Sequence, residues 1–275
     1  MAACGSCALR VSGRRALAVW SYLDMNLFLD GTFEPNTRKM ATPYVHFENV
    51  HNTTAARELL PMVLDDFPAQ SIIDFGTGLG TWLRVAEDLG VRDVLGIDGD
   101  WVDAEKLTIA EDQFMRRNLH ETLDLGRKFD LAICLEVAEH LMPDKAELLV
   151  DNIVRHSDVV LWSAAIEGQE GQNHVNERHP SYWAELFRAR GYVWEDPYRH
   201  RIWQNEKIDH WYRQNVLIYR KKTAADAPGP ADSPNLLVHP VKFYKHLNRI
   251  QVMKKQLRTV NSGQKSPRFY FDMFK

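Results

Sequence analysis

A glycine-rich turn directly follows a short hydrophobic run, and these residue types together suggest ligand binding. The run Ser71–Phe75 predicts a buried strand, and a helix is predicted to start near Gly80, because apolar residues recur at helical spacing after it. Glycines permit positive φ and let a ligand approach the backbone, while a helix N-terminus attracts negative charge. The turn therefore predicts a site for a pyrophosphate or a carboxylate. The residues concerned are Asp74, Gly76, Thr77, Gly78 and Gly80.

The spacing of these glycines discriminates between two kinds of ligand. The dinucleotide fingerprint G-x-G-x-x-G/A requires glycine or alanine at position 81 or 83, where the chain has Thr81 and Leu83. The pattern is instead G-x-G-x-G, preceded by Asp74. This argues against a nicotinamide-dependent oxidoreductase.

A second acid follows the next predicted strand, Asp93–Ile97. Asp98 stands at the carboxyl end of that strand and is followed by Gly99. One carboxylate in this position can accept hydrogen bonds from both hydroxyls of a ribose. Alone, Asp98 could equally be a turn or capping residue. Combined with the glycine turn, it predicts a nucleoside site.

Acid–base residues follow a further predicted strand, Leu131–Leu135. Glu136, Glu139 and His140 come directly after it, at the edge of the sheet where ligands bind in open α/β folds. The same residues would also suit the start of a helix. A strand over Asp158–Ser163 leads into a second polar segment.

That second segment is a long glycine-bearing loop, and long loops often carry function. Its His174 is the best candidate for a general base, since a neutral imidazole accepts protons near pH 7. A solvated loop histidine is the alternative. A metal site of His174, Glu177 and His179 is not favoured, because this spacing does not put both histidines on one face of a helix. We therefore expect no metal.

The order of the predicted elements indicates an α/β fold: one Rossmann-like, seven-stranded, mostly parallel sheet with helices on both faces. Further helices are predicted over 55–64, 145–155 and 182–190, the first with a kink or break at Pro61 and the last with Pro180 expected to begin it. Runs 192–194 and 216–219 predict edge or antiparallel strands. The domain is assigned to residues 41–222, between an N-terminal extension (1–40) and a linker (223–235) that leads to a helical, basic tail (236–275).

Composition argues against several classes of protein. The chain has 34 Lys and Arg against 37 Asp and Glu, a net charge of -3, which gives no basic excess for nucleic acid or anionic membranes. No apolar run approaches the roughly 18 residues that span a bilayer. Three cysteines argue for a reducing, cytoplasmic location, and the C-x-x-C of Cys4 and Cys7 lacks a second ligand pair for structural zinc. The oligomeric state stays open.

Together these segments resemble class I S-adenosylmethionine (SAM)-dependent methyltransferases, in particular a bacterial branch associated with glycan and secondary-metabolite biosynthesis. The resemblance runs from His51 to Arg220 and includes the glycine turn, VLGIDGDWVD, FDLAICLEVAEHL and HVNERHPSYW. It implies SAM as the cofactor.

The resemblance also assigns parts of SAM to residues of this chain. The glycine turn would receive the methionine part, with Asp74 ordering the loop or contacting the amino group through water. Asp98 would hold the ribose, and the backbone around Leu135 and Glu136 would meet the amino group. Asn118 stands where the family often has an acid for adenine, and an amide can serve that edge.

The implied reaction is an in-line methyl transfer, for which the protein supplies positioning and proton removal. His174 or His140 would take the proton, and Glu139 would lie near the transferring methyl. By family analogy we predict a hydroxyl acceptor on a small molecule or glycan, with no nucleic-acid or membrane partner. An N-methyltransferase acting on a small molecule and a non-catalytic SAM-binding regulator or scaffold are the alternatives.

Overall fold

The computed structural model of the chain describes residues 52–224 and 233–261. The predicted N-terminal extension, with Cys4 and Cys7, lies outside these residues, as do residues 225–232 of the predicted linker. The proposed domain boundaries therefore stay predictions. Within the described ranges, no helix has both the length and the apolar character needed to cross a membrane.

The described residues form a seven-stranded sheet and seven α-helices. The strands are β1 (Ser71–Phe75), β2 (Asp93–Asp98), β3 (Phe114–Arg116), β4 (Leu131–Leu135), β5 (Val159–Ser163), β6 (Tyr192–Glu195) and β7 (Leu217–Lys221). The helices are α1 (Thr54–Asp66), α2 (Thr81–Asp88), α3 (Ala146–His156), α4 (Pro180–Arg188), α5 (Arg199–Ile202), α6 (His210–Asn215) and α7 (Pro240–Asn261).

The sheet order is β3-β2-β1-β4-β5-β7-β6. The first five strands in this order are parallel, whereas β7 is antiparallel to both β5 and β6. This confirms the predicted seven-stranded, mostly parallel Rossmann-like sheet. The order reverses between β1 and β4, and in such sheets a ligand crevice opens at the carboxyl ends of the strands on either side of the reversal.

Two apolar layers cover the faces of the sheet because successive strand residues point to opposite sides. In β1, Ile72 belongs to the layer that α1 and α2 cover, whereas Ile73 and Phe75 belong to the layer that α3 and α4 cover. The second layer includes a stacked pair, Phe187 and Tyr219, with ring centroids 3.9 Å apart. These layers hold the strand ends that carry the site.

Several predicted helices differ from the observed ones in detail. Helix α1 extends beyond 55–64 at both ends and continues through Pro61, so the break expected there is absent from this described helix. Helix α3 starts one residue later than predicted. Helix α4 begins at Pro180, the residue expected to start it, and ends two residues before the predicted Arg190. The short helices α5 and α6 were not predicted, because four to six residues are too few to show a helical period.

Candidate active site

The loop between β1 and α2 has a backbone that glycine adopts more readily than other residues. Gly76 has a φ of 78°, and Gly78 and Gly80 share the positive sign. A β-carbon on Gly76 would lie 2.4 Å from Cγ2 of Val137, too close for any unadjusted contact. The Gly76 N–H donates to the Ile97 carbonyl at 2.7 Å, which ties the loop to β2. Neighbouring protein atoms therefore require glycine at position 76.

The carboxylate of Asp98 links this loop to the end of β2. It accepts the Gly78 N–H at 2.8 Å on one oxygen and the Gly99 N–H at 2.7 Å on the other. These two hydrogen bonds fix the carboxylate between the glycine loop and the end of β2. Asp98 lines a cavity together with Trp101, whose ring covers Gly99 so closely that a β-carbon there would lie 2.3 Å from it.

Asp74 is buried beneath the same loop and also lines the cavity. Burial raises the pKa of Asp74 to about 7; Thr77 lowers it, and the charge of Asp98 raises it. The group is therefore poised to ionise near neutral pH. A cation placed beside it would favour the ionised form.

The predicted site residues that do not line the cavity are Asn118, Gly80 and Gly99. The Asn118 side chain turns towards Glu121, at 3.5 Å, and accepts the backbone N–H of His120 at 3.0 Å. The adjacent Leu119 and His120 line the cavity instead. The adenine role assigned to Asn118 stays a prediction, and its neighbours are equally placed for it.

Glu136 follows β4 in a left-handed conformation, with a φ of 55°. Its N–H lies 3.0 Å from the Ser163 carbonyl oxygen, and its carboxylate accepts from Gln169 at 2.6 Å and from Asn215 at 3.1 Å. Burial raises the pKa of Glu136, and these hydrogen bonds offset part of the rise. Leu135 and Glu136 both line the cavity.

Glu139, His140 and His174 meet although the two histidines lie on different segments. The single-turn helix Ala138–His140 and the loop after β5 are joined where Val175 and Asn176 donate their N–H groups to the Glu139 carbonyl, at 2.8 and 3.0 Å. The two imidazole centroids are 4.9 Å apart, edge to face. We call Glu139, His140 and His174 the Glu–His cluster; all three line the cavity.

Charge in the Glu–His cluster is constrained by burial and by hydrogen bonds. Glu139 is fully buried, and this burial, followed by the charge of Glu136, raises its pKa well above the ordinary range. Nδ1 of His174 lies 2.8 Å from a carboxylate oxygen of Glu177. A Nδ1–H donated to Glu177 leaves Nε2 of His174 free to accept a proton or bind a ligand.

Helix α7 anchors the loop that carries His174. The Lys242 ammonium donates to the Gln169 carbonyl, His246 lies 3.0 Å from the Gly168 carbonyl, and Arg249 pairs with Glu170. Gln169 and Glu170 line the cavity next to the Glu–His cluster. The sequence predicts this segment only as part of a helical, basic tail, whereas helix α7 holds one wall of the site.

Aromatic residues that were not predicted as site residues complete the cavity. Trp82, Trp211 and Tyr212 line it, and the rings of Trp82 and Tyr212 meet edge to face at 5.4 Å. Trp82 was assigned to the core of α2 from its helical spacing. Trp211 and Tyr212 were not predicted as site residues, because α6 is too short to show a helical repeat of apolar residues. The cavity encloses about 400 Å³, enough for a ligand of ordinary size.

His179, another loop histidine, has a different role from His174. Its ring accepts the Ser181 N–H at 3.1 Å and so caps the start of α4, as expected of a polar side chain at a helix N-terminus. Among the described residues, the group that could hold a metal ion is therefore not the His174, Glu177 and His179 set weighed from the sequence, but the Glu–His cluster.

Comparison with known proteins identifies a protein family and one curated relative of similar sequence. A family model for a methyltransferase domain matches residues 45–196, more than half of the chain. The ribosomal protein L11 methyltransferase of Fusobacterium nucleatum subsp. nucleatum is 29% identical over 126 residues, which cover 42% of this chain and 39% of that protein. The chain thus matches about two-fifths of the length of this curated relative.

Solved structures of methyltransferases are similar to parts of the chain at low sequence identity. The small RNA methyltransferase HEN1 has a TM-score of 0.49 and 16% identity, over 67% of this chain and 27% of that one. The magnesium protoporphyrin IX methyltransferase of Synechocystis PCC 6803, with bound SAH, has a TM-score of 0.46 and 16% identity, over 66% and 90% of the two chains.

Proposed function

The chain belongs to the methyltransferase-domain family, and from this premise we propose that it transfers the methyl group of SAM to a hydroxyl of a small-molecule or sugar-containing acceptor. One observation supports the proposal most strongly. A single cavity is lined both by the glycine loop with Asp98 and by the Glu–His cluster. The narrower assignment to a glycan or secondary-metabolite branch, and the expected lack of a nucleic-acid partner, stay predictions.

The residues at the glycine loop fit a nucleoside with an amino-acid end. Asp98 is buried and lines the cavity, where its carboxylate could accept hydrogen bonds from the hydroxyls of a ribose. Asp74 is placed to favour a bound ammonium group, because a cation nearby stabilises its ionised form. Bound SAM would supply an electrophilic methyl group on a sulfonium.

The Glu–His cluster supports an oxygen acceptor. A hydroxyl must lose its proton as it attacks a methyl group, and a positioned imidazole can accept that proton. Glu177 orients His174 so that Nε2 is the free nitrogen. Burial raises the pKa of Glu139 and so disfavours the ionised form, in which a carboxylate can accept a proton. A neutral amine attacks the methyl group with its own lone pair, so it depends less on a general base that removes a proton during the attack.

A radiolabelled-methyl assay tests the proposal with matched panels of hydroxylated and amine-bearing small molecules. We expect label in hydroxyl products, and we expect His174→Ala to lower kcat by roughly 10²–10⁴-fold while SAH affinity stays within about twofold. The exposed His200 provides a control, because His200→Ala removes an imidazole that does not line the cavity. Label confined to amines would contradict the hydroxyl acceptor, and SAH binding without any transfer would favour a non-catalytic role.

A further inference from the structure

The side chains of the Glu–His cluster have the composition of a metal site. We propose that Glu139, His140 and His174 bind one divalent transition-metal ion, which contacts the acceptor hydroxyl. The metal site stands on its own geometry, whereas its role toward the acceptor rests on the proposed function. No metal was expected from the sequence, where only His174, Glu177 and His179 were weighed as ligands and their spacing did not favour a site.

The donor atoms are already close to one another. One ligand atom from each of the three residues lies within 4.8 Å of the other two. Metal bonds of about 2.0–2.2 Å would place such donors ~3–4 Å apart, so a contraction of about 1 Å closes the site. Two imidazoles and one carboxylate suit first-row divalent ions such as Mn²⁺, Fe²⁺, Co²⁺ or Zn²⁺ and leave positions open for a substrate.

Neighbouring residues prepare His174 for this role. Metal-binding histidines usually donate their other N–H to a carboxylate, and Glu177 stands 2.8 Å from Nδ1 of His174. A β-carbon on Gly171 would lie 2.1 Å from Nε2 and 2.5 Å from Cε1 of this ring. Glycine at position 171 therefore leaves room for the imidazole of His174, and a larger residue would displace the ring.

Glu139 is the second, independent indication. Its side chain is 0% exposed; within the described ranges the Ala165 backbone and the Glu136 carboxyl approach it, but no hydrogen bond of normal geometry reaches either carboxylate oxygen. Buried carboxyl groups are ordinarily hydrogen-bonded, paired with a charge or bound to a metal. A cation held between Glu139 and the two imidazoles would satisfy these oxygens.

The ion would change how the acceptor loses its proton. A bound cation lowers the pKa of a hydroxyl that contacts it, so the proton can leave to water. The acceptor oxygen then forms a bond to the methyl carbon as the carbon–sulfur bond breaks, and the electron pair stays on sulfur as a neutral thioether. His140 and His174 would then act as ligands rather than as the final proton acceptors.

Mn²⁺ binding to the full chain, freed of metal with a chelator, tests the site directly. Electron paramagnetic resonance measures free Mn²⁺, and we expect one equivalent to bind. Glu139→Gln, His140→Ala and His174→Ala should each weaken binding at least tenfold. Gly171→Ala should also weaken it, although it removes no ligand. His200→Ala is the control, since His200 is exposed and does not line the cavity, and it should bind Mn²⁺ like the wild type.

Circular dichroism and SAH binding on the same samples separate the possible failures. Wild-type protein that binds SAH but no Mn²⁺, or folded variants that all bind Mn²⁺ normally, would overturn the metal site and leave the methyltransferase proposal intact. Loss of methyl transfer on chelation, with recovery on adding Mn²⁺, would support the role toward the acceptor. Mn²⁺ binding without SAH binding would overturn the proposed function alone.

Discussion

At the scale of single residues, Asp74 links proton uptake to the proposed cofactor site. It is an acid buried beneath the glycine loop, and burial raises its pKa to about 7. The ammonium of SAM or SAH beside this carboxyl would stabilise the ionised form and lower its pKa in the complex. Binding would then release a proton, so affinity must rise with pH until Asp74 is ionised in the free protein.

We therefore expect SAH affinity to increase by roughly tenfold between pH 5.5 and 7.5 and to level off above the free-protein pKa. Calorimetric titrations at four pH values measure this directly. Asp74→Asn cannot ionise at this position, so its affinity should be weaker at pH 7.5 and almost independent of pH over the same range. An equally steep pH dependence in Asp74→Asn would show that another group is responsible.

Residue types explain why part of the site could be read from the sequence. Gly76 and Asp98 are set by backbone conformation and ligand chemistry, which leave a recognisable pattern beside a strand. The neighbouring residues that contact these groups leave no such pattern in the sequence. Nothing in the sequence indicates that Val137 fills the space next to Gly76, or that Glu177 holds His174. Such pairings depend on how distant segments meet.

At the scale of elements, helix α7 determines the position of one cavity wall. Lys242 is almost fully buried and donates to the Gln169 carbonyl, while Gln169 in turn donates to Glu136. The helix is thus connected to the end of β4 through the loop that carries His174. Removing this cation leaves a buried carbonyl without its donor, which costs about 1–3 kcal/mol.

Lys242→Met should loosen the loop while the sheet keeps its stability. We expect faster hydrogen exchange in residues 168–174 and a higher KM for the acceptor, with SAH affinity little changed. Lys245→Met is the control, because Lys245 is exposed on the same helix. Unchanged exchange in the loop of folded Lys242→Met would mean that α7 does not hold this wall.

Strands were easier to predict than the short helices and contacts around them. The runs that became β1, β4 and β5 are short, apolar and bounded by polar residues, so burial alone identifies them. Helices α5 and α6 are too short to show a helical repeat of apolar residues. Trp211 and Tyr212 were therefore not predicted to line the cavity. The periodicity of α7 was visible, but its contact with the loop was not, since it depends on tertiary packing.

At the scale of the whole molecule, the sheet brings distant segments to one crevice. The reversal between β1 and β4 sets the glycine loop beside Glu136, and the parallel neighbour β5 brings the His174 loop to the same edge. The fold class followed from the alternation of strands and helices. The closeness of His140 and His174 did not, because it rests on backbone hydrogen bonds from Val175 and Asn176 to Glu139.

Calorimetric titration of SAH into the wild-type chain and into Asp98→Ala and Asp98→Asn tests the central claim most directly. The account predicts one SAH per chain and a loss of affinity of roughly tenfold to a hundredfold in both variants, because hydrogen bonds to a charged group contribute about 1.5–3 kcal/mol. His200→Ala should bind like the wild type. No heat with the wild-type chain, or unchanged affinity in folded Asp98→Ala, would contradict the account.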